Sequence, residues 1–385
     1  MPNLRTSYCN VALKNPLIAA SSGITFDLTR CKKAEDAGMA AVVLKSIQEE
    51  MIMRYNPNPR FEVIQDGIPG YSSSVFYSYE QAYEHGIEEY CREIQRCKES
   101  LDIPVIASTN CVTLEKWGEY GKACEEAGAD AIEIVPSCPS GLLMRSAKDI
   151  GAVAVEALKE TKKAVKNIPV GVKMTLQLTN PLQVAHDLQE AGADMLIMFN
   201  RFTGCDIDVD AMAPILHHGF AGHGSPSSKF VNMRWMISAF PKLHVPISAT
   251  GGVVRWDDVI KYMLCGATNA QICALIYLKG YKWVEQMLSE LNEYLEKHHI
   301  ENITDIIGKA AGNFVDNFSA DRSHRYIAHA DKEKCKHCNK CKDVCIYEAL
   351  SLKEDGPEID PEKCDGCNLC VSLCKFGALS MHQKS

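Results

Sequence analysis

The residues of this sequence with the clearest capacity for chemistry are its eighteen cysteines. Eight of them occur between positions 335 and 374, in two runs that repeat the same intervals of two, two and three residues. The first run is Cys335, Cys338, Cys341 and Cys345, and the second is Cys364, Cys367, Cys370 and Cys374. Thiolates at this spacing bind soft metals, as iron–sulfur clusters or as zinc. The C-terminal region is therefore predicted to be a metal-binding module.

The duplicated run is typical of bacterial ferredoxins with two 4Fe-4S clusters, in which the fourth cysteine of each run ligates the other cluster. By that rule one cluster takes Cys335, Cys338, Cys341 and Cys374, and the other takes Cys364, Cys367, Cys370 and Cys345. Zinc is the alternative, but it would leave the third cysteine of each run and the duplication unexplained. A proline usually follows the fourth cysteine, whereas this chain has Ile346 and Lys375 there; that position is not a ligand.

A second pattern extends over the first 300 residues, where helical segments end at a glycine and a short apolar run follows. Short apolar runs separated by helices indicate parallel strands that are buried on both faces. Eight such runs are present: Leu17–Ala20, Ala41–Leu44, Val105–Ser108, Ala131–Val135, Val170–Met174, Met195–Phe199, Ile247–Thr250 and Asn269–Cys273. We therefore predict an α/β fold, with a (β/α)8 TIM barrel over residues 1–300, a linker over 301–330 and a ferredoxin-like domain over 331–385.

A TIM barrel carries its chemistry at the carboxyl ends of its strands. This rule selects Ala20–Gly23, Lys45, Ser108–Asn110, Ser137–Ser140, Lys173, Asn200–Arg201, Gly251–Gly252 and Ala274. Two connections, from Ile47 to Tyr79 and from Arg201 to Ser228, are too long to be simple turns. Long loops of this kind are usually lids or binding loops.

The residues at these strand ends resemble those of the dihydroorotate dehydrogenase family. The resemblance rests on Lys45, the Ser137-Cys138-Pro139 loop, Lys173, Asn200 and the Ala249–Gly252 segment. With the cysteine module attached, the chain is similar to the FMN-binding half of dihydropyrimidine dehydrogenases.

The resemblance implies an FMN cofactor and a role for most of these residues. The FMN phosphate would lie at Gly251, Gly252, Cys273 and Ala274, where glycine lets backbone N–H groups approach it. The flavin ring would contact Lys45, Lys173 and Asn200, and the backbone of Ala20 and Ser21. Hydride would pass between the flavin and one carbon of an activated C=C bond. Cys138 would move the proton at the neighbouring carbon.

The substrate positions depart from the pattern of pyrimidine-binding relatives, which surround the ring with asparagines. This chain has Val135 before the Ser-Cys-Pro loop, Ser140 after it and the pair Tyr77 and Ser78 in the first long loop. Arg201 follows Asn200, and its planar guanidinium suits a carboxylate. A salt bridge within the loop is the alternative role of Arg201. Lost hydrogen-bond partners should impair pyrimidine binding.

The combined prediction is an FMN- and iron–sulfur-dependent oxidoreductase acting on a C=C or CH–CH bond conjugated to a carbonyl, carboxylate or imide. One alternative is a true dihydropyrimidine dehydrogenase subunit, and another is a non-catalytic electron-transfer subunit. No glycine-rich dinucleotide turn opens a βαβ unit, so electrons should come from a ferredoxin or from a separate FAD/NAD(P)H subunit. The resemblance also implies a homo-oligomer.

Composition excludes several other classes of protein. The chain has 385 residues, 46% of them hydrophobic, and a formal charge of −8. The apolar content is too high for a disordered chain, and the negative charge argues against nucleic acid as a partner. No apolar run is long enough for a membrane span or a signal peptide. A cytoplasmic protein without membrane contact is therefore expected.

Overall fold

The computed structural model describes residues 2–49, 61–65, 74–78, 86–136, 147–204, 207–214, 221–224, 226–315, 318–321 and 323–384. The chain divides into two compact units, Met1–Phe314 and Val315–Ser385. Residues 301–330, which we expected to be a linker, contribute to both units. The 3-10 helices Ile303–Ile306 and Ala311–Asn313 fall within the first unit, and the strand Tyr326–Ala330 falls within the second.

The first unit is a closed barrel of eight parallel strands, which confirms the TIM-barrel prediction. Each strand pairs with the next along the chain, and the eighth pairs with the first. In chain order the barrel strands are Leu17–Ala19, Ala41–Val43, Val105–Asn110, Ala131–Ile134, Val170–Met174, Met195–Met198, Ile247–Thr250 and Ala267–Ile272. All eight predicted runs are strands, with small differences at their ends.

Helices surround the barrel and bury their apolar sides against the outer face of the strands. The α-helices of this unit are Leu28–Asp36, Ile87–Ser100, Leu114–Glu126, Ala147–Ala164, Pro181–Glu190, Ser228–Ala239, Trp256–Leu264, Ala274–Lys279 and Lys282–Lys297, with 3-10 helices Gly23–Thr25 and Phe240–Lys242. The helix Trp256–Leu264 ends as the sequence predicts, at a left-handed glycine. Gly266 has φ +113°, and a Cβ there would lie 2.2 Å from the Phe240 ring, so only glycine fits.

The barrel interior is apolar near its middle and polar towards the carboxyl ends of the strands. Ile18, Val43, Ile106 and Ile197 belong to an interior cluster that also contains Tyr8. Tyr8 comes from an amino-terminal hairpin of strands Thr6–Tyr8 and Val11–Leu13. Side chains alternate between the two faces of a strand, so within the third strand, Val105–Asn110, Ser108 and Asn110 face the interior as Ile106 does.

The two long connections join each other instead of forming separate loops. Each contributes two strands to one antiparallel sheet, whose order is Phe202–Gly204, Ala221–Gly224, Ser74–Ser78 and Phe61–Gln65. We call this the loop sheet. Two shorter pairings complete the connections: Ile47–Gln48 with the third barrel strand, and Ile207–Asp208 with Ala213–Pro214.

The second unit shows the internal duplication that the cysteine runs predict. Its strands pair as Tyr326–Ala330 with Leu379–Gln383 and as Leu350–Lys353 with Gly356–Ile359. Each cysteine run enters a short helix, Lys340–Asp343 or Leu369–Leu373, after a left-handed asparagine: Asn339 with φ 64° or Asn368 with φ 66°. Among the described helices of both units, none is long and apolar enough to cross a membrane.

Candidate active site

A buried ion pair lies inside the barrel below its carboxyl-terminal mouth. Lys173 Nζ is 3.0 Å from Glu133 Oε1 and 3.0 Å from Gln271 Oε1. The Gln271 amide donates to Glu133 Oε2 at 2.6 Å, and the Tyr8 hydroxyl donates to the same oxygen at 3.4 Å. None of these four residues is more than 5% exposed. The pair therefore places a lysine at the mouth without leaving its charge uncompensated in an apolar interior.

The Lys173 ammonium is not fully used by this network. An ammonium has three N–H donors, and two of them serve Glu133 and Gln271 within the described part of the chain. The third remains for a molecule bound at the mouth. Lys173 could therefore donate a hydrogen bond to a flavin, as predicted from the sequence. Glu133, which was not predicted, holds its ammonium in place.

Three cations converge on the end of the eighth strand. Burial raises the pKa of the Cys273 thiol, while the Ser22 hydroxyl and the charges of Arg201, Lys173 and Lys45 lower it. The charges of three residues far apart in sequence therefore act on one thiol. Burial outweighs them, which keeps Cys273 a neutral thiol at neutral pH. Glu133 compensates the Lys173 charge, and the cationic groups of Lys45 and Arg201 near the same strand end can attract an anionic cofactor or substrate.

A chain of hydroxyl groups connects the ends of the first three strands. The Ser21 and Ser46 hydroxyls are 3.0 Å apart, and the Ser46 and Ser108 hydroxyls are 2.7 Å apart. The Tyr90 hydroxyl accepts the Ser108 N–H at 2.8 Å and donates to the Ser108 carbonyl at 3.1 Å. Of these residues the sequence analysis gave a role only to Ser21. The chain fixes the relative position of the three strand ends.

The segment after the seventh strand forms a tight backbone turn, as the predicted phosphate site requires. Gly251 and Gly252 have φ of +94° and +69°, and a Cβ on Gly252 would lie 2.8 Å from the Lys229 backbone nitrogen. The Tyr262 hydroxyl donates to the Gly251 carbonyl at 2.6 Å. The helix Ser228–Ala239 begins beside this turn, so helix and glycine N–H groups lie together in an arrangement that suits a phosphate.

Of the remaining residues predicted to contact the cofactor, Ala20 and Asn200 already form hydrogen bonds within the protein. The Ala20 N–H donates to the Ile272 carbonyl at 2.9 Å, so a flavin contact from Ala20 would have to use other atoms. The Asn200 side-chain oxygen accepts the Arg201 N–H at 3.0 Å, which leaves its amide N–H groups for a ligand. Ala274 begins the helix Ala274–Lys279 directly after Cys273.

Several predicted residues cannot be placed in the site. Cys138 and Ser140 lie outside the described residues. Tyr77 and Ser78 belong to the loop-sheet strand Ser74–Ser78, for which the backbone alone is described. Their roles remain predictions.

The eight C-terminal cysteines surround two cavities in the second unit. One is lined by Cys335, Cys338, Cys341 and Cys374, and the other by Cys345, Cys364, Cys367 and Cys370. This is the grouping that the crossed ferredoxin rule predicts. The other lining residues are largely apolar, including Leu352 and Leu379 in the first cavity and Ile359 in the second. Four thiols in an apolar shell match the donor set of a 4Fe-4S cluster.

Backbone N–H groups also point to the sulfur atoms. Ala378 N lies 3.3 Å from Cys374 Sγ, and Ala328 N lies 3.5 Å from Cys364 Sγ. Such hydrogen bonds to sulfur tune the potential of a bound cluster.

The buried ion pair gives a testable prediction about stability. Glu133→Leu or Lys173→Met should each lower the free energy of unfolding by about 3–5 kcal/mol, because each leaves one charge buried without its partner. The double variant Glu133→Leu/Lys173→Met should lose much less than the sum of the two. Anaerobic urea denaturation followed by circular dichroism measures all three.

The control for this cycle is a surface pair. Lys162 and Asp194 lie 2.6 Å apart with side chains about one-third exposed, at 34% and 33%. Lys162→Met should therefore cost at most about 1 kcal/mol. Additive losses in the Glu133 and Lys173 cycle would show that the two charges are not coupled.

Comparison with known proteins agrees with this site. The family model for dihydroorotate dehydrogenase matches residues 3–295, and that for a 4Fe-4S dicluster domain matches residues 334–378. The chain is 30% identical to the NAD-dependent dihydropyrimidine dehydrogenase subunit PreA of Escherichia coli K12, over 89% of this chain and 85% of the relative. It is 29% identical to the dihydroorotate dehydrogenase B (NAD(+)) catalytic subunit of Methanocaldococcus jannaschii, over 80% of this chain and 98% of the relative. The resemblance found in the sequence is thus confirmed, and the chain belongs to the dihydroorotate dehydrogenase family, with a 4Fe-4S dicluster domain at its C-terminal end.

Proposed function

We propose that this chain is the catalytic subunit of an FMN- and iron–sulfur-dependent oxidoreductase whose substrate is a small unsaturated acid. The observation that carries the proposal is that Lys45, Lys173 and Arg201 come from three strand ends of one closed barrel and that the charges of all three lower the pKa of the Cys273 thiol. The family supplies the reaction class, which is hydrogen exchange with a CH–CH bond. Lys173 would serve the flavin, and Arg201 would supply the preference for an anionic substrate.

The residues at the mouth divide into those that would hold FMN and those that would hold the substrate. Gly251 and Gly252 would bind the phosphate through their backbone, and Lys173 would donate its remaining N–H to the flavin ring. Bound FMN supplies hydride transfer, and bound 4Fe-4S clusters carry single electrons to and from it. Lys45 follows the second barrel strand and is only 5% exposed. It would contact the flavin or the substrate.

Arg201 is the residue that favours a carboxylate. Its charge reaches Cys273 at the end of the eighth strand, so its guanidinium lies near the site and not on a remote surface. The buried Val135 occupies a position at which pyrimidine-binding relatives place an asparagine, and valine cannot pair with an imide edge. A carboxylate binds a guanidinium through two parallel hydrogen bonds.

A second candidate function is reduction of a pyrimidine, as the name of the Escherichia coli relative indicates for that protein. In either case Cys138 would move the substrate proton, and two clusters bound by the eight C-terminal cysteines would connect the flavin to a ferredoxin or to a separate FAD/NAD(P)H subunit. None of the sixteen described cysteines forms a disulfide, which supports a reducing compartment such as the cytoplasm.

The proposed substrate class is tested with the anaerobically reduced enzyme. Crotonate, fumarate, 2-cyclohexenone and uracil are mixed with it in turn, and flavin reoxidation is followed by absorbance. One of the carboxylates should react fastest, and Arg201→Gln should slow that reaction at least about tenfold, because it removes a charge-assisted pair. Arg255→Gln is the control, since this arginine pairs with Asp257 and its side chain is 67% exposed. If uracil reacts fastest, the pyrimidine function is correct instead.

A second prediction separates proton transfer from electron supply. Cys138→Ala should leave flavin reduction through the clusters unchanged and slow substrate-dependent reoxidation by about 100-fold or more, because a positioned proton donor is lost. Cys138→Ser should recover little, since serine is a much weaker acid. Cys91→Ala, at a half-buried helix position, is the control. Wild-type rates in Cys138→Ala would mean that Cys138 is structural, and that either another residue or water supplies the proton or the barrel is a non-catalytic relay.

A third prediction concerns the crossed cysteines. The anaerobically purified protein should carry about eight iron atoms and one FMN per chain. Cys374→Ser should reduce the iron content to about half and leave the cluster held by Cys364, Cys367 and Cys370, whereas Cys345→Ser should do the opposite. Electron paramagnetic resonance of the reduced variants identifies which cluster remains. Stoichiometric zinc, or loss of the second cluster in Cys374→Ser, would contradict the crossed assignment.

A further inference from the structure

Two polar atoms at the end of the third barrel strand are buried and have no hydrogen-bond partner among the described residues. They are the Thr109 hydroxyl oxygen and the Asn110 side-chain nitrogen, Nδ2. Thr109 is fully buried, and Asn110 is 7% exposed. Buried donors without partners are rare in native proteins, and each needs a specific explanation such as a bound molecule.

The side chains of Thr109 and Asn110 lie on opposite faces of the third barrel strand, because successive side chains of a strand alternate between its faces. Val105 and Ala107 pack on the helix side of the strand, whereas Ile106 belongs to the barrel interior. Side chains two residues apart share a face, so Asn110 faces the interior at the mouth and Thr109 faces the helices. The unpaired donor of Asn110 is therefore on the side where a substrate would bind.

One register neighbour of Asn110 is polar and the other is apolar, and neither accepts a hydrogen bond from its Nδ2. Gln48 is its register partner on one side, and Val135 is next in register on the other, since Ile134 pairs with Thr109. The Val135 side chain is apolar and buried. The Asn110 carbonyl accepts the Glu49 N–H at 3.1 Å, so the backbone is committed while the side-chain N–H groups are not.

The loop that follows holds Asn110 in place. The Glu49 carboxylate accepts the N–H groups of Val112 and Thr113 at 2.6 and 2.9 Å and the Thr113 hydroxyl at 2.8 Å. These contacts fix the backbone directly after Asn110.

We propose that Asn110 determines substrate specificity, by donating a hydrogen bond from Nδ2 to a carbonyl or carboxylate oxygen of the molecule that reacts at the barrel mouth. The proposal deepens the proposed function and rests on it. Asn110 and Arg201 would then bind oxygen atoms from different strand ends. A substrate without an acceptor oxygen at this point leaves the amide unpaired, and such sites discriminate strongly.

The test uses the FMN-loaded enzyme and two variants that each remove one unpaired polar atom. Asn110→Leu removes the donor at the mouth, and Thr109→Val removes the hydroxyl on the helix side as the matched control. Without substrate both variants should raise the melting temperature, by about 2 °C or more, because an unpaired buried group no longer has to be accommodated. A fall in the melting temperature of Asn110→Leu alone would mean that the amide has a structural partner, and would overturn the proposal.

Binding of four small probes then tests whether the Asn110 amide contacts the substrate. Crotonate, fumarate, 2-cyclohexenone and uracil are titrated against the oxidised flavin by absorbance. The probe that binds best should bind Asn110→Leu about tenfold or more weakly and Thr109→Val within about twofold of the wild type. The double variant Asn110→Val/Val135→Asn, which moves the amide to the neighbouring strand, should regain part of the affinity. Equal binding by Asn110→Leu and the wild type would overturn the proposal.

Cofactor binding is measured separately. The FMN dissociation constant of Asn110→Leu should stay within about twofold of the wild-type value, and a tenfold loss with unchanged probe binding would assign the amide to FMN and overturn the proposal. If Arg201→Gln has no effect on the best probe while Asn110→Leu does, the carboxylate preference fails and the Asn110 proposal stands.

Discussion

The pairing of Glu133 with Lys173 is the constraint on which the rest of the site depends. A TIM barrel is filled by side chains, and a lone lysine inside it would carry the cost of a buried, uncompensated charge. Glu133, on the neighbouring strand, compensates the charge of Lys173. Gln271, on the eighth strand, forms hydrogen bonds with both Glu133 and Lys173. Three strands are thereby held in one register by hydrogen bonds that water does not reach. A one-residue slip of any of them would move its polar side chain to the helix side.

The same closure explains how residues far apart in sequence act on one thiol. Lys45 and Arg201 follow the second and sixth strands, and Lys173 lies near the end of the fifth. The closure of the barrel brings the charges of all three close enough to Cys273, after the eighth strand, to lower its pKa. The hydroxyl chain from Ser21 to Ser108 connects the ends of the first three strands. The ion pair connects the fourth and fifth strands deeper in the barrel. The mouth is thus built on strands fixed by buried polar contacts, which is the rigidity that positioning a small substrate needs.

The sequence was sufficient for the fold because parallel strands buried on both faces appear as apolar runs, and all eight runs are strands of the barrel. It was also sufficient to select Lys173, since a lysine in such a run needs an explanation. It could not supply Glu133 as the partner, because nothing in the run Ala131–Val135 indicates contact with a residue forty positions later. Asn110 was among the strand-end residues but received no role, because only three-dimensional structure shows that its amide has no partner. The pairing of the two long connections was missed for a similar reason: strand register between distant segments leaves no local pattern.

The loop sheet makes the two long connections depend on each other. Its edge strand Phe202–Gly204 begins directly after Arg201, and its other edge strand, Phe61–Gln65, comes from a connection more than a hundred residues earlier. The backbone next to Arg201 therefore belongs to a sheet to which the first connection contributes two strands. An insertion in that first connection would act on the surroundings of the arginine, although the two lie in different parts of the chain.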